Sequence, residues 1–176
     1  MRKTLEQPVA EERSPTVPSR VAFRQHPLHP IIVVYPVTAL SLLLPADALF
    51  LWTGNGFWAT AAWWLNVLGL GSGLLAAVLG MADMFLIPLA RRHVSVWSHF
   101  VAGVMLLALA AMGVWLRAPD HAAVWPWALL QSSFTLLMVL VVGWLGGTLT
   151  FGHGIGVYGH CPGEDSADAA DEALDE

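Results

Sequence analysis

Charged residues are scarce in this sequence. Only 12% of the 176 residues are Asp, Glu, Lys or Arg, whereas a typical soluble domain has about 25%. The charge that is present gathers at the two ends: five of the eight Lys and Arg lie in the first 24 residues, and seven of the thirteen Asp and Glu follow Gly163. The middle is almost uncharged and the mean hydropathy is +0.62. This pattern excludes an ordinary water-soluble domain and predicts that lipid surrounds the middle of the chain.

Cysteines, basic clusters and catalytic motifs are also lacking. Cys161 is the single cysteine, which excludes an internal disulfide and a cysteine-based zinc or iron–sulfur site within the chain. The sequence has no basic patch of the kind that would indicate nucleic-acid binding. We find no Ser–His–Asp set, no phosphate-binding Gly-rich loop and no paired carboxylates at one depth. The sequence therefore gives no support for an enzymatic function, and we favour a non-enzymatic one.

Four long apolar runs fill the middle of the chain. They are Ile31–Trp52, Trp58–Ala82, Val94–Leu116 and Trp125–Leu149. Each has at least 22 residues, and about 20 helical residues cross the hydrocarbon core of a bilayer. Such runs must be helical because lipid offers the backbone no hydrogen bonds. We predict an all-α integral membrane four-helix bundle over residues 26–157, between a mobile cytoplasmic tail (1–25) and a disordered acidic tail (158–176).

The connections between these runs are short, which predicts antiparallel neighbours and an up-down-up-down bundle. The end of the second helix is expected near Leu86, because Pro88 follows it. Lys and Arg fall almost entirely on one side of the predicted membrane, seven against Arg117 alone on the other. Because positive residues favour the cytoplasmic side, we expect a multi-pass protein of the bacterial inner membrane with both termini in the cytoplasm.

Four ionisable residues should lie at the same cytoplasmic-side level. They are His29 just before the first run, Asp83 near the end of the second, His99 five residues into the third, and His153 after the fourth. Ionisable groups at membrane depth indicate a functional site. One hypothesis is haem b held by His29, His99 and His153, since histidine is an axial haem ligand. The alternative is a divalent metal held by these three histidines, with Asp83 as fourth ligand or orienting group.

Glycines near the inner end of the fourth run, Gly143, Gly146 and Gly147, are expected to make room for a haem ring. Electron transfer is therefore the leading functional prediction. A second one is a small proton-coupled transporter or channel subunit, with Asp47 at the outer end of a proton path towards Asp83. Gln131 is expected at a height that allows a hydrogen bond to Asp47. A third is a structural partner subunit of a membrane complex.

Several motifs carry a resemblance to a known family. They are His26-Pro27-Leu28-His29-Pro30 with Val34-Tyr35-Pro36, Gly80-Met81-Ala82-Asp83 with Ile87-Pro88, His99, and Gly143-Trp144-Leu145-Gly146-Gly147 leading into His153-Gly154-Ile155-Gly156-Val157. Together they resemble the bacterial four-span membrane proteins known as domain of unknown function 2231.

The resemblance implies a four-span membrane fold but no activity. Some members are joined to Rieske-type iron–sulfur domains, which implies a redox setting. The partners we expect are the lipid bilayer, a redox partner such as a Rieske-type protein, and a second copy of the chain, but no nucleic acid. The chain departs from the family pattern at Tyr35, where a histidine is frequent, and at Thr148, where an acidic residue is frequent.

Overall fold

A computed structural model describes residues 17–155, so the predicted acidic tail, Cys161 and most of the predicted N-terminal tail lie outside the described residues. The helices are α1 (Leu28–Ser41), α2 (Leu43–Thr53), α3 (Gly56–Leu86), α4 (Val94–Arg117) and α5 (Leu129–Gly147). The shorter elements are strands β1 (Ala22–Phe23) and β2 (His26–Pro27), a 3-10 turn (Ala90–Arg92) and two wide π-type turns (Val124–Ala128 and Thr148–Gly152). The predicted all-α class is confirmed.

Four helical stretches are long and apolar enough to cross a membrane, judged by length and composition. We call them spans 1 to 4: Leu28–Thr53, Gly56–Leu86, Val94–Arg117 and Val124–Gly152. Their outward faces carry large apolar side chains, such as Leu140 at 64% exposure, which suits contact with lipid. The four predicted spans are confirmed. The up-down-up-down order and the side on which the termini lie stay predictions.

Span 1 is broken into two helices at Leu42. Pro45 has no backbone N–H, so the carbonyl of Ser41 loses its usual helical partner. The chain turns there, with the Leu42 amide bonded to the Thr38 carbonyl at 3.2 Å and the Ala46 amide bonded to the Leu42 carbonyl at 3.1 Å. An apolar run cannot reveal this break, because α1 and α2 are equally hydrophobic.

Helix α3 is the longest element. Its 31 residues extend about 46 Å at about 1.5 Å per residue, well beyond the ~30 Å hydrocarbon core. The Asn55 side chain caps its start by accepting from the Phe57 amide at 3.0 Å. It ends at Leu86, as Pro88 predicted. The last turn therefore places Asp83 near the end of the bundle, where Met84 and Ile87 pack in a second apolar cluster.

Small residues on α3 let α1 approach closely. Leu40 occupies the space where Gly69 would carry a Cβ atom, and His29 lies 2.8 Å from the corresponding position of Gly80. Close approach through small residues is the usual way in which helices pack in lipid. The apolar core around this contact contains Leu40, Leu43, Ala46, Ala62, Ala102, Leu106, Ala110, Val139 and Val142.

The bundle has two ends. The terminal end comprises residues 17–29, 83–99 and 146–155, and the loop end comprises residues 47–66 and 109–135. At the terminal end β1 and β2 form a hairpin, turned at Arg24 and Gln25 with φ of 47° and 65°. Residues 17–25 thus form a hydrogen-bonded segment, and the mobility expected for the N-terminal tail stays a prediction.

Candidate functional site

Two histidines from different spans meet at the terminal end. His29 lies in the first turn of α1 and His99 in the second turn of α4, and their ring centroids are 6.3 Å apart with perpendicular planes. His29 Nδ1 lies 2.7 Å from the Ala76 carbonyl. Because a carbonyl oxygen only accepts, Nδ1 donates the proton in this bond. His29 Nε2 is therefore the nitrogen that remains for a ligand.

His99 is packed tightly but is incompletely bonded. Its ring lies against the Val142 backbone, yet its buried Nδ1 makes no hydrogen bond of ordinary geometry in the described chain. A Cβ atom on Gly146 would lie 3.2 Å from His99 Cε1. Gly146 therefore leaves room for the His99 ring, and the predicted room for a haem ring stays a prediction. Within residues 17–155, a Cβ atom on Gly143 would meet no neighbour within 4 Å and one on Gly147 would lie near Phe151, so neither is placed beside His99.

His153 has different partners. Its Nε2 lies 3.2 Å from the Ser95 hydroxyl, and its ring centroid lies 5.4 Å from that of His93. The structure therefore pairs His153 with His93, and not with His29 and His99. Depth along the helices placed His29, His99 and His153 at one level, but it gave no information about which histidines face each other.

Asp83 anchors the segment before span 1. Its carboxylate accepts from the Ser19 hydroxyl at 2.6 Å, the Arg20 amide at 2.7 Å and the Val21 amide at 2.8 Å. Among residues 17–155, no group of three or more His, Cys, Asp or Glu is placed to hold a metal ion. The structure thus brings His29 and His99 together but leaves Asp83 and His153 elsewhere. Cofactor binding by the predicted set stays a prediction.

Asp83→Asn should loosen the segment at residues 19–21, because the amide keeps one acceptor oxygen but loses the negative charge and the second acceptor. Hydrogen bonds to charged groups contribute about 1.5–3 kcal/mol, and cleavage follows the population of the opened state. We expect trypsin to cut after the exposed Arg20 and Arg24 roughly tenfold faster, measured by mass spectrometry in detergent. Asp120→Asn, at the other end of the bundle, is the control. Equal cleavage of both variants would show that Asp83 does not anchor the segment.

A second polar cluster is buried at the loop end. Asp47 and Arg117 have 0% exposure and Gln131 has 1%. Arg117 Nη2 donates to Asp47 Oδ2 at 2.5 Å, and Nη1 donates to Gln131 Oε1 at 2.7 Å. Gln131 Nε2 donates to Thr135 Oγ1 at 2.8 Å and to the Leu109 carbonyl at 3.0 Å. This network joins spans 1, 3 and 4 inside the bundle.

Arg117 is the buried polar residue that sequence reasoning missed. It was counted as a charge in a loop, whereas it is the last residue of α4 and points into the bundle. The spacing Ala110, Gly113, Arg117 follows the helical repeat and carried the signal. Asp47 and Gln131 were expected to bond to each other, and each instead contacts Arg117. The atoms Asp47 Oδ1 and Arg117 Nε remain without a hydrogen bond in the described chain.

The spans and the two internal polar clusters define a helical membrane protein. Residues 25–159 match domain of unknown function 2231, described as a predicted membrane protein, and the chain belongs to that family. No curated protein and no solved structure matches the chain. Family membership therefore supports the membrane assignment and leaves the activity to be argued from the side chains.

Proposed function

We propose that this protein is a non-enzymatic electron-transfer protein that holds haem b between His29 and His99. The observation that carries the proposal is the separation of the two ring centroids, 6.3 Å. Two imidazoles on opposite faces of one metal ion have centroids about 6 Å apart, because a metal–nitrogen bond is about 2.0 Å long. His29 and His99 would hold the haem, and the number and separation of the two rings support this proposal.

The number of ligands favours haem over a bare divalent metal at this pair. A porphyrin supplies four nitrogens, so two histidines suffice, whereas a zinc site usually takes three or four protein ligands. The Ala76 carbonyl holds the His29 tautomer that leaves Nε2 for iron. Because the rings are perpendicular in an edge-to-face contact, one ring must turn about its side-chain bonds for both nitrogens to face one iron.

Haem, when bound, supplies one-electron chemistry, and the chain contributes the surroundings of the site. Gly80 and Gly146 leave space for the imidazoles, since any side chain there would press on them. The apolar core beside His29 and His99 would keep water from the buried edge of the haem. Exclusion of water is one of the factors that set the redox potential of a haem. Ligand orientation and exclusion of water are the two roles that we assign to this chain.

We also propose that the terminal end faces the cytoplasm of a bacterium, where a Rieske-type or other redox partner would reach the histidine pair. Arg91 and Arg92 are exposed at that end. At the loop end Arg117 is neutralised by Asp47 inside the bundle. The difference in exposed positive charge supports this orientation.

A haem titration of detergent-solubilised protein tests the histidine pair. We expect one haem per chain with a Soret band, and at least a tenfold loss of affinity in His29→Ala and in His99→Ala, because each removes one axial ligand. His121→Ala, at the loop end, should bind like the parent. Undiminished binding by both pair variants would refute the assignment, and so would binding lost equally in His121→Ala.

The proton-coupled transporter has less support. Asp47 is engaged by Arg117, and Asp83 is engaged by the segment at residues 19–21. The apolar core, with Leu40, Leu106 and Val139, lies between the two carboxylates along the bundle. A proton flux in proteoliposomes that is abolished by Asp83→Asn would favour this function over electron transfer. The role of a structural partner subunit rests on the same buried network and predicts neither flux nor cofactor.

A further inference from the structure

A second pair of histidines lies at the terminal end, apart from His29 and His99. His93 precedes α4, and His153 follows the last wide turn of span 4. Their ring centroids are 5.4 Å apart and the planes are tilted by 34°. We propose that His93 and His153 form a binding site for a divalent transition-metal ion such as Zn²⁺, independent of the proposed haem.

The spacing of this pair suits neighbouring positions on one metal ion. With metal–nitrogen bonds of about 2.0 Å and a tetrahedral angle, two imidazole centroids lie about 5 Å apart. The observed 5.4 Å is close to that value. The tilt of 34° also distinguishes this pair from His29 and His99, whose perpendicular rings are 6.3 Å apart.

Hydrogen bonding leaves nitrogens available in this pair. The Ser95 hydroxyl bonds His153 Nε2 at 3.2 Å, so His153 Nδ1 is the remaining ligand, and a neighbour of this kind commonly orients a metal-bound histidine. The His93 side chain does not cap α4. Both rings are partly exposed, which gives an ion access from water.

The remaining coordination positions would be filled by water, because residues 17–155 place no third His, Cys, Asp or Glu at the pair. Imidazole without carboxylate favours Zn²⁺, Cu²⁺ or Ni²⁺ over Mg²⁺, which prefers oxygen. Arg91 and Arg92 lie next to His93 in the chain, and their positive charges oppose the binding of a cation. Because the two imidazoles are neutral, binding depends on the strength of the metal–nitrogen bonds. The site is therefore suited to Zn²⁺, Cu²⁺ or Ni²⁺ and not to Mg²⁺.

A bound ion would tie the turn before α4 to the end of span 4. That end is also held by the Val17 amide, which donates to the Gly154 carbonyl at 2.9 Å, and by the Ile155 amide, which donates to the Leu149 carbonyl at 3.1 Å. Because an ion that binds the folded state stabilises it, zinc should raise the thermal stability of the protein through the terminal end.

The test uses the full chain in detergent, without haem, in a Cys161→Ser background that removes the thiol as a ligand. Thermal unfolding is followed against increasing ZnCl₂, with MgCl₂ for comparison, and stoichiometry is measured by calorimetry. We expect one zinc per chain, a saturable rise in Tm and no effect of Mg²⁺. His93→Ala and His153→Ala should each weaken zinc binding at least tenfold, and Ser95→Ala should weaken it less.

His29→Ala and His121→Ala are the matched controls and should respond to zinc like the parent. A zinc response that survives both His93→Ala and His153→Ala would overturn the proposal. A response that disappears in His29→Ala would assign the zinc to the other pair and overturn it as well. The haem titration depends on His29 and His99 alone, so failure of either proposal is distinguishable from failure of the other.

Discussion

Replacing Arg117 with methionine should lower the free energy of unfolding by about 3–5 kcal/mol, the usual cost of leaving one partner of a buried ion pair uncompensated. Asp47 has no exposure and would lose its counter-ion, and Gln131 would lose the donor to its Oε1 atom. Methionine has a similar length and fills the space, so the loss reports charge and hydrogen bonding. Unfolding is measured by denaturant titration of the protein in detergent micelles.

A second substitution separates the ion pair from general damage. Replacing Asp47 by leucine in the Arg117→Met protein removes the unpaired carboxylate, and a well-packed apolar replacement of a buried pair is often neutral. We therefore expect the double variant to recover most of the loss. Arg91→Met, at an exposed position, should change stability by less than about 0.5 kcal/mol. An Arg117→Met protein as stable as Arg91→Met would contradict a buried ion pair.

Adding one methyl group at Gly113 should also destabilise the bundle. A Cβ atom there would lie 2.6 Å from two amide atoms of Gln131 and would overlap the amide of Asn66. Overpacking of this kind costs about 1–3 kcal/mol, and here it also displaces Gln131 from Arg117. The same denaturant titration of Gly113→Ala measures the loss.

Gly103→Ala is the matched control, because it makes the same change in the same helix. A Cβ atom on Gly103 would meet no atom of residues 17–155 within 4 Å, and alanine is favoured over glycine in a helix by up to about 1 kcal/mol. The two variants should therefore shift stability in opposite directions. If Gly113→Ala were as stable as Gly103→Ala, that result would contradict the close packing of Asn66 and Gln131 against Gly113.

The fold was predictable to a large extent because lipid restricts the backbone to helices. Length and hydropathy located the four spans, and Pro88 located the end of α3 at Leu86. The break at Leu42 was not apparent, because Pro45 lies inside an unbroken apolar run. The contacts of residues 19–21 were also not apparent, since they are hydrogen bonds to Asp83, more than 60 positions away.

The polar side chains were harder to pair than the helices were to locate. Distance along a helix gives the depth of a residue, and depth placed His29, His99 and His153 at one level. Rotation about the helix axis decides which of them touch, and the His153 ring lies against the His93 ring. The burial of Arg117 was missed for a related reason. The last residue of a helix and the first residue of a loop are hard to distinguish in sequence, although only the helical residue belongs to a face that packs inside the bundle.

The absorption spectrum of the protein, purified in mild detergent from cells supplied with a haem precursor, tests the central claim most directly. We expect a Soret band and sharp bands on reduction, with one haem per chain, and neither in the His99→Ala protein purified in the same way. His153→Ala should retain the spectrum, because that residue is bonded to Ser95 and faces His93. A colourless parent protein that remains folded and takes up no added haem would contradict a haem centre at His29 and His99.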